Sequence, residues 1–211
     1  EAMQVLADRA GIELPKQEMT GAQKREADKR TKLLEINKEA AKYFYKLLRS
    51  PRGEKAYAYF RKRELSDETM RKFGLGYSDQ YSDDLYRYLR HMGYDDALLK
   101  ESGLVSIDEV RGGHDKFWNR AMFPIMDVHN RVIGFGGRVM GEGEPKYLNS
   151  PETKIFDKSR NLYGLNIART TRKPQLFYVR DIWMSLHCTR QALTMRWPLL
   201  AHRLPVDMPV C

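Results

Sequence analysis

The sequence predicts a mixed α+β domain, helical in its N-terminal part and completed by a small mixed sheet. Three observations carry that prediction. Between Thr31 and Arg49 the apolar residues Leu33, Leu34, Ile36, Ala40, Ala41, Phe44, Leu47 and Leu48 recur at helical spacing. From Arg120 the period changes: AMFPIMDVHNRVIGFGGRVM is two apolar runs parted by His129-Asn130, the pattern of a β-hairpin. Hydrophobic residues make up 42% of the chain against 31% charged, which suits a soluble globular domain rather than a disordered tail.

The elements follow in order. Residues Ala2 to Ile12 read as the tail of a helix ended near Gly11. The polar stretch 15–30, with Pro15 and Gly21 as breakers, reads as a tether or a mobile helical linker. The helix from Thr31 stops at Pro51 and Gly53, and a second is expected over Glu54–Lys62 with Ala56, Tyr57, Tyr59 and Phe60 partly inward. Ser66 suits the N-cap of a third, short helix with Glu68 and Thr69 in its first turn. Phe73–Tyr77 reads as a short strand, and helices follow over Asp83–Met92 and Asp95–Ser102. The acidic pairs Asp83-Asp84 and Asp95-Asp96 open those helices and read as caps. In the hairpin, Asp127 and Asn130 are turn residues, while Gly134, Gly136 and Gly137 imply a bulge or a close backbone approach.

The net charge of +9 favours an anionic partner, nucleic acid ahead of an anionic membrane surface. No run approaches the roughly 18 apolar residues of a membrane helix, and the N-terminus has no apolar signal core, so the cytoplasm is expected. Glu1 stands where an initiator Met would, so the chain is expected to begin inside a longer protein. Cys188 and Cys211 form no CxxC pair and no zinc site is expected. There is no Walker loop, DxD or DGD acidic pair, HExxH or GxSxG, and His91, His114 and His129 are scattered. A grip is visible, but not the chemistry.

Three segments could form that grip. In FRKREL, Arg61, Lys62 and Arg63 end a helix, where the macrodipole alone also favours cations. In RVIGFGGRVMGEGEPKYLNSPET, Gly136 and Gly137 stand just before Arg138, so backbone amides and a guanidinium can approach one anion. Lys146 lies beyond a Gly-rich loop that folds it back towards Arg138; the bland alternative is a hairpin with a solvated loop. In KYLNSPETKIFDKSRNLYGL, Asn149, Ser150 and Thr153 suit sugar and phosphate contacts but equally make turns and caps. Lys154, Lys158, Arg160 and Arg169 extend the positive surface. Tyr147 and Trp118 are candidates to stack on bases, although burial in the core is the stronger expectation for each.

Together these segments resemble the RNA-polymerase core of the bacterial DnaG-type primases. The run MFPIMDVHNRVIGFGGRVMGEGEPKYLNSPETKIFDKSRNLYGLNIA, Met122 to Ala168, is similar to that family's signature almost residue by residue, and Tyr59 to Tyr77 resembles its upstream block. The resemblance covers about residues 1–179 and implies a primase that makes RNA primers on single-stranded DNA. It implies residues 1–14 as the last helix of a zinc-binding domain, 31–170 as the N-terminal domain of the catalytic core, and 171–179 as the start of a Toprim strand. By position, the family's basic groove falls on Arg63, Arg138 and Lys146, with Arg120 and Lys158 weaker candidates, and these hold template–primer backbone and incoming nucleotide phosphates. The implied partners are single-stranded DNA template, RNA primer, nucleoside triphosphates and a replicative helicase, with no membrane and a monomeric state. The family uses Mg2+ or Mn2+ and Zn2+, and no cofactor is expected on this chain itself. The alternative is a non-catalytic module that binds single-stranded nucleic acid; a third reading makes the Gly-rich hairpin a small-molecule phosphate site.

The resemblance breaks after Phe177. Residues 180–211 contain no Gly, Lys, Glu, Asn, Phe or Tyr, a sudden change of usage. Codons can be chosen for Arg180 onward that, read in a shifted frame, give Glu-Gly-Tyr-Met-Asp-Val-Ile-Ala-Leu-His-Gln-Ala-Gly-Phe, which resembles the opening of the family's Toprim domain. A frameshifted, poorly packed tail without the Toprim acids is therefore expected, and a chain inactive by itself.

Overall fold

A computed structural model describes residues 20–170 apart from Glu109 and Arg111. The expected N-terminal helix tail, the strand at 171–179 and the tail after Arg180 lie outside the described residues.

Helix α1 runs Gly21–Leu48, so the linker expected to reach Arg30 is helical from Gly21. The reason is a capping box: the Thr20 hydroxyl accepts from the Gln23 amide at 3.3 Å, and the Gln23 side chain accepts from the Thr20 amide at 2.9 Å. Gly21 occupies the first helical position, where its flexibility does not break the turn. Further along, Leu33, Ile36, Ala40, Phe44, Leu47 and Leu48 are buried, the stripe read from their spacing. Helix α2 spans Glu54–Lys62 and α3 spans Asp67–Lys72, with the Ser66 hydroxyl accepting from the Thr69 amide at 3.2 Å.

Strand β1 is Gly76–Ser78, later than Phe73–Tyr77. Phe73 still caps α3, and Gly74 takes a left-handed φ of 64° to turn the chain out of the helix. Helices α4 (Asp84–His91) and α5 (Asp96–Glu101) follow. Asp95 caps α5 through the Leu98 amide at 2.7 Å. Asp83 stands at the N-cap of α4 but its side chain makes no capping bond; it pairs with Arg87, and the Leu85 and Tyr86 amides donate to Asp115 at 2.9 and 2.8 Å instead. Asp115 ends a small hairpin, β2 (Val105–Asp108) with β3 (Gly112–Asp115), which periodicity did not reveal.

The main sheet is antiparallel, in the order β1-β4-β5-β6, with β4 at Arg120–Met126, β5 at Val132–Val139 and β6 at Tyr147–Asn149. Asp127 shapes the β4–β5 turn by accepting from the His129 and Arg131 amides, both at 2.9 Å. Asn130 there takes a φ of 61°. A short helix α6, Leu165–Ala168, follows the sheet. Apolar clusters cover both faces. On one, Phe60 meets Phe123 edge-on at 5.8 Å, beside Met70, Phe73, Tyr77 and Ala121. On the other, Phe44 meets Phe135 at 5.5 Å, beside Leu89, Phe117 and Met122. Burial on both faces is why β4 and β5 read as continuous apolar runs rather than alternating ones.

Candidate nucleic-acid interface

The antiparallel register brings the C-terminal ends of β1 and β5 and the N-terminal ends of β4 and β6 to one end of the sheet: Ser78 pairs with Arg120, Arg120 with Val139, and Arg138 with Tyr147. Helix α2 packs over the Arg138 face, through the Phe60 cluster. Tyr59 and Arg63 are four residues apart along α2 and its C-cap, hence neighbours on one side of the helix.

Arg138 and Arg63 are thereby held on a single aromatic ring. The Arg63 guanidinium carbon lies 5.6 Å from the Tyr59 ring centre and that of Arg138 lies 5.9 Å from it. Arg138 Nε also donates to the Tyr59 hydroxyl at 2.6 Å. On its other flank Arg138 stands 4.9 Å from the centre of the Tyr147 ring. Partial burial pulls the Arg138 pKa down, but the phenol groups of Tyr59 and Tyr147 more than offset that, so the guanidinium keeps its charge. Two permanent cations bracketed by two phenols, at an accessible sheet end, suit a polyanion with stackable rings.

The other candidates divide. Lys146 is exposed, but its carbonyl accepts from the Val139 amide at 3.1 Å, which pairs it with Val139 and, by strand alternation, sends its side chain to the face opposite Arg138. The structure thus brings Arg63 and Arg138 together and leaves Lys146 at the same edge on the other face. Asn149 is exposed and pairs with Gly136, on the Arg138–Tyr147 face. Gly136 itself is buried between Phe123 and Asn149.

Arg120, Ser150 and Gly137 are corrections. Arg120 is only 6% exposed and spends its guanidinium on backbone carbonyls, that of Pro145 at 2.9 Å among them. Ser150 is 1% exposed; its hydroxyl accepts from the Phe135 amide at 2.9 Å, extending the β5–β6 ladder. Neither faces a surface that a phosphate can reach. At Gly137 a Cβ would stand 2.9 Å from the Phe117 ring and 3.0 Å from the Arg120 side chain, so this glycine makes room for the core rather than for an anion. Lys158 is exposed on the loop whose Phe156 lies against Gly134, towards the opposite end of β5 from Arg138. Lys154 is paired with Glu26 at 2.7 Å and Arg160 with Asp157 at 3.3 Å, so part of the expected positive surface is internally neutralised.

Tyr147 and Trp118 were expected in the core, yet they are 49% and 51% exposed, both beside this end of the sheet. Tyr59 was missed as a site residue. The signal was its spacing to Arg63, and what hid it was an apolar neighbour, Phe60, that made the whole segment read as a packing face.

Among the described residues no group of three or more His, Cys, Asp or Glu side chains is placed to hold a metal ion, and no helix is long and apolar enough to cross a membrane. Asp79 and Asp84 are both ion-paired with Arg52.

Residues 43–169 match the model of the DNA primase catalytic core, N-terminal domain. A DNA primase of Clostridium acetobutylicum is 44% identical over 168 residues, covering 80% of this chain and 28% of its own length. This chain therefore spans less than a third of that relative. The fold superposes on a DnaG primase catalytic domain bound to ssDNA with a TM-score of 0.62 at 38% identity, over 68% of this chain and 44% of that one. It superposes on the RNA polymerase domain of Mycobacterium tuberculosis DnaG, in complex with a double-stranded DNA oligomer carrying a 6-nucleotide overhang, with a TM-score of 0.63 at 31% identity, over 66% and 44% of the two chains. With its signature run, its sheet and more than half its length matching, the chain belongs to the family of the DNA primase catalytic core, N-terminal domain.

Proposed function

We propose that this chain supplies the template–primer grip of a DNA primase, an enzyme that joins nucleotides into RNA primers on single-stranded DNA. The observation that carries this is the pair of guanidinium groups, Arg63 and Arg138, on the Tyr59 ring at an accessible end of the sheet. Arginine forks match phosphate oxygens, and exposed rings such as Tyr147 and Trp118 give bases a surface to stack on. Binding of this kind is sequence-tolerant and weakens steeply with salt. The solved relatives bound to single-stranded and overhanging DNA support the same partner. Asn149, on the Arg138–Tyr147 face, flanks the strip, and Lys146 adds positive charge at the same sheet edge from its other face.

Residues 31–170 form the gripping domain, with α1 extending back from it to Gly21. The described residues do not fit a two-metal centre: Asp79 and Asp84 are committed to Arg52, and Asp115 to helix amides. Nor do they fit a zinc site. The described residues therefore hold no metal for the reaction, and the Mg2+ or Mn2+ and Zn2+ of the whole family belong outside them. By itself the chain binds single-stranded DNA as a monomer in the cytoplasm and synthesises no primer; docking to a replicative helicase belongs to the whole protein.

The test combines two assays on the 211-residue chain. Fluorescence anisotropy with a labelled single-stranded oligonucleotide should show salt-dependent binding that unlabelled polynucleotide displaces far better than a nucleoside triphosphate. A primer-synthesis assay with template, nucleotides and Mg2+ or Mn2+ should yield no product. Tight, salt-insensitive nucleotide binding would favour a small-molecule phosphate site instead, and primer synthesis would overturn the division of labour.

A further inference from the structure

We propose that Tyr59 is a positioning residue that sets the geometry of the paired arginine grip, and this inference rests on reading that strip as a grip for the polynucleotide backbone. Tyr59 contributes two separable things. Its hydroxyl accepts the Nε proton of Arg138 at 2.6 Å, and its ring takes the Arg63 and Arg138 guanidinium groups at 5.6 and 5.9 Å.

The hydroxyl contact matters because a guanidinium has two binding edges, one using Nε and one Nη, and the other using both Nη atoms. With Nε engaged by Tyr59 and the Tyr147 hydroxyl also bonded to the guanidinium, the remaining Nη hydrogens are the ones left for contact with a phosphate. The side chain is also fixed in rotation about its long axis, so the fork is oriented before a ligand arrives. The ring contact matters because two like charges near one another repel. The negative face of the phenol ring attracts both and offsets that repulsion without neutralising either, as a carboxylate would. Among the described cations, Lys29, Lys42, Arg52, Arg87, Arg131 and Lys154 are held by carboxylates at 2.7 Å or closer. Arg138 is held by phenols. A cation held this way stays available to an anion.

Tyr59 is well placed for the task. It lies on α2, whose Phe60 is anchored in the core against Phe123, while Arg138 is fixed at the end of β5 by the sheet. The phenol thus joins a helix to a strand across the exposed seam where the two cations emerge.

The test is a double-mutant cycle on oligonucleotide binding, with Y59F, Y59L, R138A, R63A and Y59F/R138A. Y59F keeps the ring and removes the hydroxyl; affinity for a single-stranded oligonucleotide should fall about five-fold, the worth of one hydrogen bond. Y59L removes both contributions and should fall further, with a shallower salt slope. In the R138A background, Y59F should have no added effect. The 15N-resolved Nε–H signal of Arg138 should lose its protection from solvent exchange in Y59F, while the thermal midpoint stays near that of the parent chain, which a purely structural tyrosine would not explain. Should R63A and R138A weaken binding while Y59F and Y59L do not, or should Y59F add its full effect to R138A, the positioning role is overturned and the grip stands. Should R63A and R138A both bind like the parent, the grip fails and the role of Tyr59 with it.

Discussion

Arg120 Nη1 donates to the carbonyl oxygen of Pro145 at 2.9 Å, tying the first residue of β4 to the loop that delivers Lys146 and Tyr147 to the sheet edge. This buried cation is a strut. Replacing it with methionine, which fills similar volume without donors, should lower stability by about 2–3 kcal/mol, the scale of hydrogen bonds from a charged group. Chemical denaturation measures that loss. Under conditions where R120M is folded, the salt dependence of its DNA binding should match the parent, because Arg120 contacts no phosphate.

Gly137 gives a second stability prediction. A methyl group there meets the Phe117 ring at 2.9 Å and the Arg120 side chain at 3.0 Å, inside a packed cluster. G137A should destabilise the fold by about 1–3 kcal/mol through overpacking. If Gly137 instead served close approach of a phosphate, G137A would leave the denaturation midpoint unchanged and weaken DNA binding alone.

Asp115 makes stability depend on pH. Burial pushes its carboxyl up to about 7; the Leu85 and Tyr86 amides pull it down, and the nearby Asp84 and Asp83 push it up again. In the unfolded chain the group titrates near the usual value of about 4. Between about pH 4 and pH 7 the unfolded state therefore sheds this proton while the folded state keeps it, so the Asp115 contribution to stability declines as pH rises through that window. The difference in unfolding free energy between the parent and D115N should shrink in the parent's disfavour over that range and level off above it. A carboxyl carbon titration of Asp115 by NMR with a midpoint near 4 would contradict this.

Much of the fold was legible because its signals are local. The α1 stripe, the Ser66 cap and the Asp127–Asn130 turn each follow from residues a few positions apart. Most of what escaped depended on distant partners, the local capping box at Thr20 apart. Asp115, not Asp83, satisfies the α4 amides from a hairpin far along the chain. The four-residue capping box at Thr20 outweighed a glycine that looked like a breaker. In the site, the charge of Arg63, Arg138 and Arg120 was visible, but their fates were not. Composition cannot separate an arginine spent on carbonyls from one resting on phenols, and strand alternation, which divides Lys146 from Arg138, requires a register that only the β5–β6 pairing supplies.

The central claim is that Arg63 and Arg138 act on one polynucleotide backbone, and the salt dependence of binding tests it most directly. A plot of log affinity for a single-stranded oligonucleotide against log salt should lose roughly 0.7 in slope for each of R63A and R138A and about twice that for the double variant, while K158A, at the far end of β5, should leave it unchanged. Equal slopes for the parent and the double arginine variant would contradict the account.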